Sequence, residues 1–173
     1  MSCALLGIDE INMVLNDFLK EFGVTAELGS EFAYWIGEDR ITYNVLLPET
    51  ATDYFMDNFN RLAPDIDCDP FLASILHELG HAETLEYMEE VEELYCYKIK
   101  HQIELECQGD CSEEKIKELH QRYFDLPDEH EATIWAIEYI HNNCEKIAKF
   151  WGDLREAIMN FYKLNNVDLK EAF

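Results

Sequence analysis

The sequence predicts an α+β fold that is mainly α-helical, and three observations support this prediction. Apolar residues recur every three to four positions over most of the chain, which is the spacing of amphipathic helices. Three short runs between residues 24 and 47 are instead rich in β-branched and aromatic residues. The chain has 173 residues, and 48% of them are hydrophobic, which is enough to bury one core. We therefore expect a single domain over residues 1–173.

The strands are expected in the runs VTAEL, FAYWI and RITYNVLL, which occupy residues 24–28, 32–36 and 40–47. The runs are separated by Gly-Ser and by Gly-Glu-Asp, which are residues that favour turns. Short strands joined by tight turns predict a small antiparallel sheet.

Helices are expected before and after these strands in the sequence. The first should begin near Asp9, since Asp is a good helix cap, and should end at Gly23. Asp69 and Pro70 supply a cap and a first-turn proline for the helix that follows them. Ser112 caps another helix, which has glutamates in its first turn. Further helices are expected at 52–63, 83–107, 126–151 and 152–164.

The charge balance excludes some partners. The chain has 37 acidic and 13 basic residues, which gives a net charge of −24. Such a surface repels phosphate backbones and anionic membranes, so we expect no direct binding to nucleic acid or membrane. The N-terminal residues lack the basic region of a signal peptide, and no run is apolar enough to span a bilayer. We therefore expect a cytoplasmic protein whose six cysteines are reduced.

The stretch SILHELGHAETL, residues 74–85, contains the pattern His-Glu-x-x-His. On a helix, His77 and His81 lie one turn apart on the same face, so both imidazoles can bind one metal ion. Glu78 follows the first histidine and can reach a water molecule on the metal without being a ligand. This arrangement is typical of zinc-dependent peptide hydrolysis, in which zinc activates the water and a carboxylate takes its proton.

A catalytic zinc ion usually has three protein ligands, so a third ligand is needed. We expect Glu131, because it lies early in an apolar helix that must pack and can direct a carboxylate inward. Glu86 shares a helix with the histidines and is discounted. Other candidates for the third ligand are His101, His120, His130, His141 and the remaining acidic residues of DEHEATIWAIEYI, residues 128–140.

These residues carry a family resemblance. LHELGHAETL followed by EHEATIWAIEYI resembles the zincin metallopeptidases of the gluzincin type, in which a glutamate from a second helix is the third ligand. The pattern is most similar to the small ImmA/IrrE-like peptidases: Glu131, Ala132 and Ala136 match their second motif, and Trp135 takes its aromatic position. Thr133 departs from that motif, which has Asn or Asp there. RITYNVLLP also resembles the edge strand that SprT-like peptidases use to hold a substrate.

The resemblance covers about residues 40–86 and 126–142, and the helices at about 86–122 are then an insertion. It implies a minimal zincin-like fold with an active-site helix, one catalytic Zn²⁺, and a peptide or protein substrate. The acidic surface suits a basic substrate. Candidates for stabilising the transition state are Tyr139 and His141, and also Tyr123. The alternative function is an acidic binding or inhibitor module, such as a phage or mobile element encodes, which mimics nucleic-acid charge and holds a non-catalytic zinc.

Overall fold

The computed structural model describes residues 6–45, 49–109 and 111–167, without the side chains of residues 49–52. The described part is mainly helical, with one small sheet, as expected for an α+β fold. Its helices are α1 Ile8–Leu19, α2 Glu49–Leu62, α3 Pro70–Thr84, α4 Glu90–Cys107, α5 Glu113–Phe124, α6 Pro127–Asn142 and α7 Cys144–Asn165, and its strands are β1 Thr25–Leu28, β2 Ala33–Trp35 and β3 Arg40–Tyr43.

The chain divides into two compact units, one from Met1–Leu47 with Tyr139–Phe173 and the other from Pro48–Glu138. The expectation of a single domain stays a prediction. In the first unit, α1 and α7 pack together and α1 also packs on the sheet. Phe18 of α1 stacks on Phe150 of α7, with ring centroids 3.9 Å apart. Gly23 ends the first helical segment with φ 71°, as expected for a left-handed cap, whereas Gly7 rather than Asp9 precedes α1.

The sheet is mixed, so the prediction of an antiparallel meander is wrong. The strand order is β1-β3-β2, with β3 parallel to β1 and antiparallel to β2. The physical reason lies in burial, because Ile41, Thr42 and Tyr43 of β3 are all buried, whereas β2 is half-buried to exposed. A strand buried on both faces takes the central position. The likeness of β3 to a substrate-holding edge strand is therefore wrong too, since both of its sides are paired; residues 46–48 of that run lie outside the described residues.

The second unit contains α2, α3, α4, α5 and the first part of α6. Helix α3 begins as expected, because the Asp69 carboxylate accepts a hydrogen bond from the Phe71 amide at 2.9 Å and Pro70 follows the cap. Every residue from Phe71 to His81 is buried. A helix that is buried on all sides places any polar side chain it carries inside the protein.

Several helix boundaries differ from the prediction; for example, α2 begins at Glu49 rather than near residue 52, and α7 begins at Cys144 rather than near Gly152. The helix expected over 83–107 begins only at Glu90, after a 3₁₀ turn over Leu85–Tyr87. Glutamates at positions 83, 86 and 90 repel one another at helical spacing, which disfavours a continuous helix there. The helix expected over 126–151 breaks at Asn143, whose side chain donates to the Tyr139 carbonyl oxygen at 3.0 Å. Among the described helices, none has the length and apolar character that crossing a bilayer requires.

Candidate metal centre

Two histidines of α3 converge inside the second unit. His77 and His81 are 5% and 8% exposed, and their ring centroids are 4.7 Å apart. Their spacing of four residues brings both rings to one face of the helix. The ring of Phe55 on α2 lies against His77, at a centroid distance of 5.2 Å. The convergence predicted for these two residues is present in the structure.

The carboxylate that meets the histidines is Glu129 of α6. Its Oε2 lies 3.1 Å from His77 Nε2, and its Oε1 lies 3.6 Å from His81 Nε2. Glu129 is 2% exposed. One ligand atom from each of the three residues lies within 4.8 Å of the others, so the group could hold a metal ion.

Glu131 does not take part in this group and is exposed, which corrects its expected role as third ligand. Two residues along a helix turn the side chain by about 200°, so Glu129 and Glu131 face opposite ways. Among the acidic candidates in DEHEATIWAIEYI, the sequence itself favours Glu129. Positions three, four, seven and eight residues after it hold Ala132, Thr133, Ala136 and Ile137, and all four are buried.

A close approach of two helices creates the site. A Cβ atom at Gly80 would lie 2.3 Å from the carbonyl oxygen of Ala132, which is far inside van der Waals contact. Only glycine therefore allows α3 to lie this close to α6. Since Gly80 adjoins His81 and Ala132 adjoins Thr133, the same approach brings the histidines to Glu129.

Thr133 contacts His77 and orients its ring. Its hydroxyl donates to the Glu129 carbonyl oxygen at 2.8 Å, so its oxygen is free to accept from Nδ1–H of His77 at 3.1 Å. Nε2 of His77 lies 3.1 Å from Oε2 of Glu129, so a proton or a metal ion on Nε2 would lie between the ring and the carboxylate.

The pKa values in the site reflect this pairing of imidazole with carboxylate. Burial alone would raise the pKa of Glu129, but the hydrogen bonds and charges of His77 and His81 hold it well below its usual range. Burial alone would lower the pKa of His81, but contact with Glu129 and the charge of Glu78 outweigh burial and raise it. The site is thus built to keep a carboxylate charged and to place positive charge beside it.

Helices α4 and α5, within the expected insertion, add two groups that the sequence did not single out as ligands. Lys100 of α4 forms ion pairs with Glu129 and, at 2.6 Å, with Asp128. Its ammonium group lies 5.1 Å from the ring centre of Tyr123 on α5. Burial, followed by the charge of Glu129, raises the pKa of Tyr123, so its hydroxyl stays protonated at physiological pH.

The donor atoms suit zinc. Two imidazole nitrogens and a carboxylate oxygen form a common set of protein ligands for this ion. With zinc–ligand bonds of about 2.0–2.1 Å, neighbouring ligand atoms of a tetrahedron are about 3.3–3.4 Å apart. The two contacts of Glu129 with the histidines involve different carboxylate oxygens, Oε2 at 3.1 Å and Oε1 at 3.6 Å, and one ligand atom from each residue lies within 4.8 Å of the others.

The remaining predicted site residues divide between the two units. Glu78 is buried on α3, and its charge affects both His81 and Tyr123, so it lies by the site as expected. Tyr139 belongs to the first unit, where its hydroxyl contacts Glu21 at 3.2 Å and Lys146 at 3.0 Å. The four other histidines that were candidate site residues are exposed or half-buried and lie outside the metal-ligand group, namely His101, His120, His130 and His141.

Comparison of the sequence with family models and with curated proteins, and of the structure with solved structures, gave no match. Any functional conclusion therefore depends on the site itself.

Proposed function

We propose that this protein is a zinc metallopeptidase that hydrolyses peptide bonds. The observation that supports the proposal is the buried group His77, His81 and Glu129, with Glu78 beside it. His77, His81 and Glu129 would hold the ion. When bound, zinc lowers the pKa of a water ligand and polarises a carbonyl group.

The chain's own residues have distinct roles in this proposal. The Glu78 carboxylate accepts a proton from the water molecule that attacks the peptide carbonyl group, and it then gives this proton to the leaving amine. The Tyr123 hydroxyl, whose pKa burial raises, is a donor that can stabilise negative charge developing on the substrate oxygen. Lys100 forms ion pairs with both Glu129 and Asp128, so its positive charge partly offsets their negative charges. Tyr123 thus replaces Tyr139 and His141 as the best candidate for transition-state stabilisation.

The test is the variant Glu78→Gln, because it keeps the size of the side chain and removes the base. We expect near-stoichiometric zinc in the wild type and in the variant, measured by metal analysis of purified protein. Peptide hydrolysis should fall by at least roughly 100-fold in the variant, since general base catalysis contributes about 10²–10⁴-fold. Glu83→Gln is the matched control, because Glu83 lies on the same helix and is half-buried outside the metal-ligand group.

Two results would contradict the proposal. One is a zinc-loaded wild type that cleaves no peptide of a diverse library. The other is equal cleavage by the wild type and Glu78→Gln, which would mean that the activity comes from elsewhere or from a contaminant.

The net charge of −24 supports a preference for basic substrates. Matched lysine-rich and glutamate-rich peptides should therefore be cleaved at different rates at low salt, with the lysine-rich peptide faster. The difference should shrink as salt screens the charges. Equal rates at low salt would rule out this preference while leaving the hydrolase proposal intact.

The second candidate function is an acidic binding module, and the exposed side of α4 favours it. Of the eleven large hydrophobic residues that are exposed in the described parts of the chain, six lie in and just before this helix, namely Tyr87, Val91, Leu94, Tyr95, Tyr97 and Leu105. Glutamates at positions 89, 90, 92, 93 and 104 surround them. Apolar side chains surrounded by acids suit a basic amphipathic partner, whereas a second copy of the same face would be repelled.

A defined peptide tests this candidate. A helical lysine–leucine peptide should bind more tightly than a lysine–serine peptide of equal charge, and Leu94→Gln should weaken its binding. Met13→Gln is the control, because Met13 is similarly exposed on α1. Equal binding of the two peptides would show charge attraction alone and would contradict a docking role for the α4 face.

A further inference from the structure

A cavity of about 220 Å³ lies between α2 and α5 in the second unit. Its wall includes Tyr54, Asn58 and Arg61 from α2, and Lys117 and His120 from α5. None of these five residues belongs to the metal-ligand group. The cavity therefore needs an explanation that the metal centre does not supply.

Asn58 has an unsatisfied donor in this wall. The residue is 4% exposed, and its Oδ1 accepts a hydrogen bond from Arg61 at 2.8 Å. Its Nδ2 group is buried and has no hydrogen-bond partner within the part of the chain that the structure describes. Buried polar groups are nearly always paired, so an orphaned donor indicates a missing acceptor. Asn58 is one of the lining residues, so an acceptor atom in the cavity would supply that hydrogen bond once the amide group turned towards it.

The cavity also collects positive charge in a protein that has little of it. Arg61 and Lys117 are two of only 13 basic residues in the chain, and Asp57 is the one acidic residue of the lining. Lys117 forms no ion pair among the described residues, and Arg61 forms only a long one, 3.6 Å from Asp125. In a chain with 37 acidic residues, two cations left this weakly paired are available to an added anion.

The aromatic part of the wall is a stacked pair of rings. The rings of Tyr54 and His120 stack with centroids 4.3 Å apart and planes 11° from parallel. Burial lowers the pKa of His120, so the imidazole is neutral at pH 7 and offers hydrogen bonds rather than charge. The lining thus combines two cationic donors, one orphaned amide donor and a flat neutral surface.

We propose that the cavity between α2 and α5 binds a small oxyanion, a carboxylate or a phosphate group, through Arg61, Lys117 and Asn58. The planar guanidinium group of Arg61 can donate two parallel hydrogen bonds to such an anion. The ammonium group of Lys117 adds charge, and Asn58 gains its acceptor. The volume suits a free small anion or the charged end of a larger molecule. The site is independent of zinc and of peptide hydrolysis.

Titration of the full-length protein with sodium phosphate and, separately, with sodium succinate tests the proposal. Sodium chloride keeps the ionic strength constant, and ¹H–¹⁵N spectra report the side-chain amide of Asn58 and the backbone amides of α2 and α5. We expect saturable shifts of the Asn58 amide with at least one anion. The anion that binds more tightly identifies whether carboxylate or phosphate is the recognised group. The absence of a saturable shift with both anions up to roughly 50 mM would overturn the proposal.

Lys117→Gln should weaken binding by about tenfold, because it removes one charge-assisted contact. Lys98→Gln is the matched control, since Lys98 is exposed on α4, lies outside the cavity, and its loss changes the net charge equally. Asn58→Ala should also weaken binding, and circular dichroism checks that it folds. An equal loss of affinity in Lys98→Gln and Lys117→Gln would show a general charge effect and overturn the proposal.

Discussion

Glu129 is a carboxylate that the fold buries and then surrounds with nitrogen atoms. It is 2% exposed and contacts His77, His81 and Lys100. A buried charge is unfavourable unless it is paired, and an isolated carboxylate would instead become protonated. The low pKa of Glu129 shows that the pairing outweighs the burial. A divalent cation bound by this carboxylate and the two imidazoles would likewise offset the negative charge of Glu129.

Replacement of Glu129 and of Glu131 should have opposite outcomes. We expect Glu129→Gln to weaken zinc binding by at least about 100-fold, because loss of a mere supporting partner of a ligand already costs about 10–100-fold. Glu131→Gln should bind zinc like the wild type, since its side chain is exposed and faces away from the histidines. Competition with a chelator of known affinity measures both values. Equal weakening in the two variants, or in Glu131→Gln alone, would restore Glu131 as the ligand.

The convergence of the two histidines could be predicted from sequence because they belong to one helix, where spacing alone determines the face. The third ligand depends on how a second helix is rotated against the first. The match of Glu131 and Ala132 to the family motif placed the inward-facing side of α6 two residues too late. The buried residues Ala132, Thr133 and Ala136 lie three, four and seven positions after Glu129, so they share its face of the helix. Lys100 could not be predicted, since its contact with Glu129 depends on the tertiary packing of α4.

Cys68 is predicted to be unreactive near neutral pH. Burial, followed by the charges of Asp69 and Asp67, raises the pKa of its thiol to about 12. At pH 8 about one thiol in 10⁴ would then be ionised, compared with about a quarter for a thiol with an ordinary pKa near 8.5. Iodoacetamide at pH 8, followed by peptide mapping, should label the exposed Cys107 and Cys144 long before Cys68. The labelling of Cys68 should accelerate as the pH rises towards 12, and fast labelling at pH 8 would contradict the burial.

At the scale of elements, local signals predicted the helices better than the sheet. The cap at Asp69 and the cap at Ser112 both act as expected, because a capping side chain and its amide partner lie within three residues of each other. The strands were also found near their predicted positions, but their order depends on which backbones pair across the chain. Three short strands are compatible with several orders, and burial of β3 decides among them only once the helices are packed.

The contact between α3 and α6 should be intolerant of one added methyl group. Gly80→Ala would bring a Cβ atom to 2.3 Å from a backbone oxygen, so the helices must separate. We expect a loss of about 1–3 kcal/mol in the free energy of unfolding, the usual cost of overpacking, together with weaker zinc binding. Chemical denaturation and the chelator competition measure the two effects.

Gly152→Ala is the control for this prediction. Gly152 lies exposed within α7, and a Cβ atom there would meet nothing within 4 Å. Alanine is the better helix former by about 0.5–1 kcal/mol, so this variant should be slightly more stable than the wild type and should bind zinc normally. A Gly80→Ala protein with unchanged stability and zinc affinity would contradict the close helix contact.

For the whole molecule, the net charge of −24 favours solubility. It also destabilises the folded state, because like charges repel in a compact chain. Some ion pairs of the described residues lie at exposed positions, such as Lys20 with Asp17 and Lys146 with Glu21, where each pair contributes little. Lys100 lies beside the metal centre, with its side chain 26% exposed. A tightly bound cation would therefore add positive charge where the protein has little of its own.

Zinc should stabilise the folded protein, because an unfolded chain does not hold the two imidazoles and the carboxylate together. At a free zinc concentration about 100 times the Kd, the gain is about 2.7 kcal/mol. Hydrogen exchange should show where the gain arises, with the largest increase in protection in α3 and α6, which carry the three ligands. Glu129→Gln should show no such increase at the same zinc concentration. If zinc protected that variant as strongly as the wild type, or protected neither helix, the ion would be bound at another place in the chain and the His77, His81 and Glu129 group would lose its assignment.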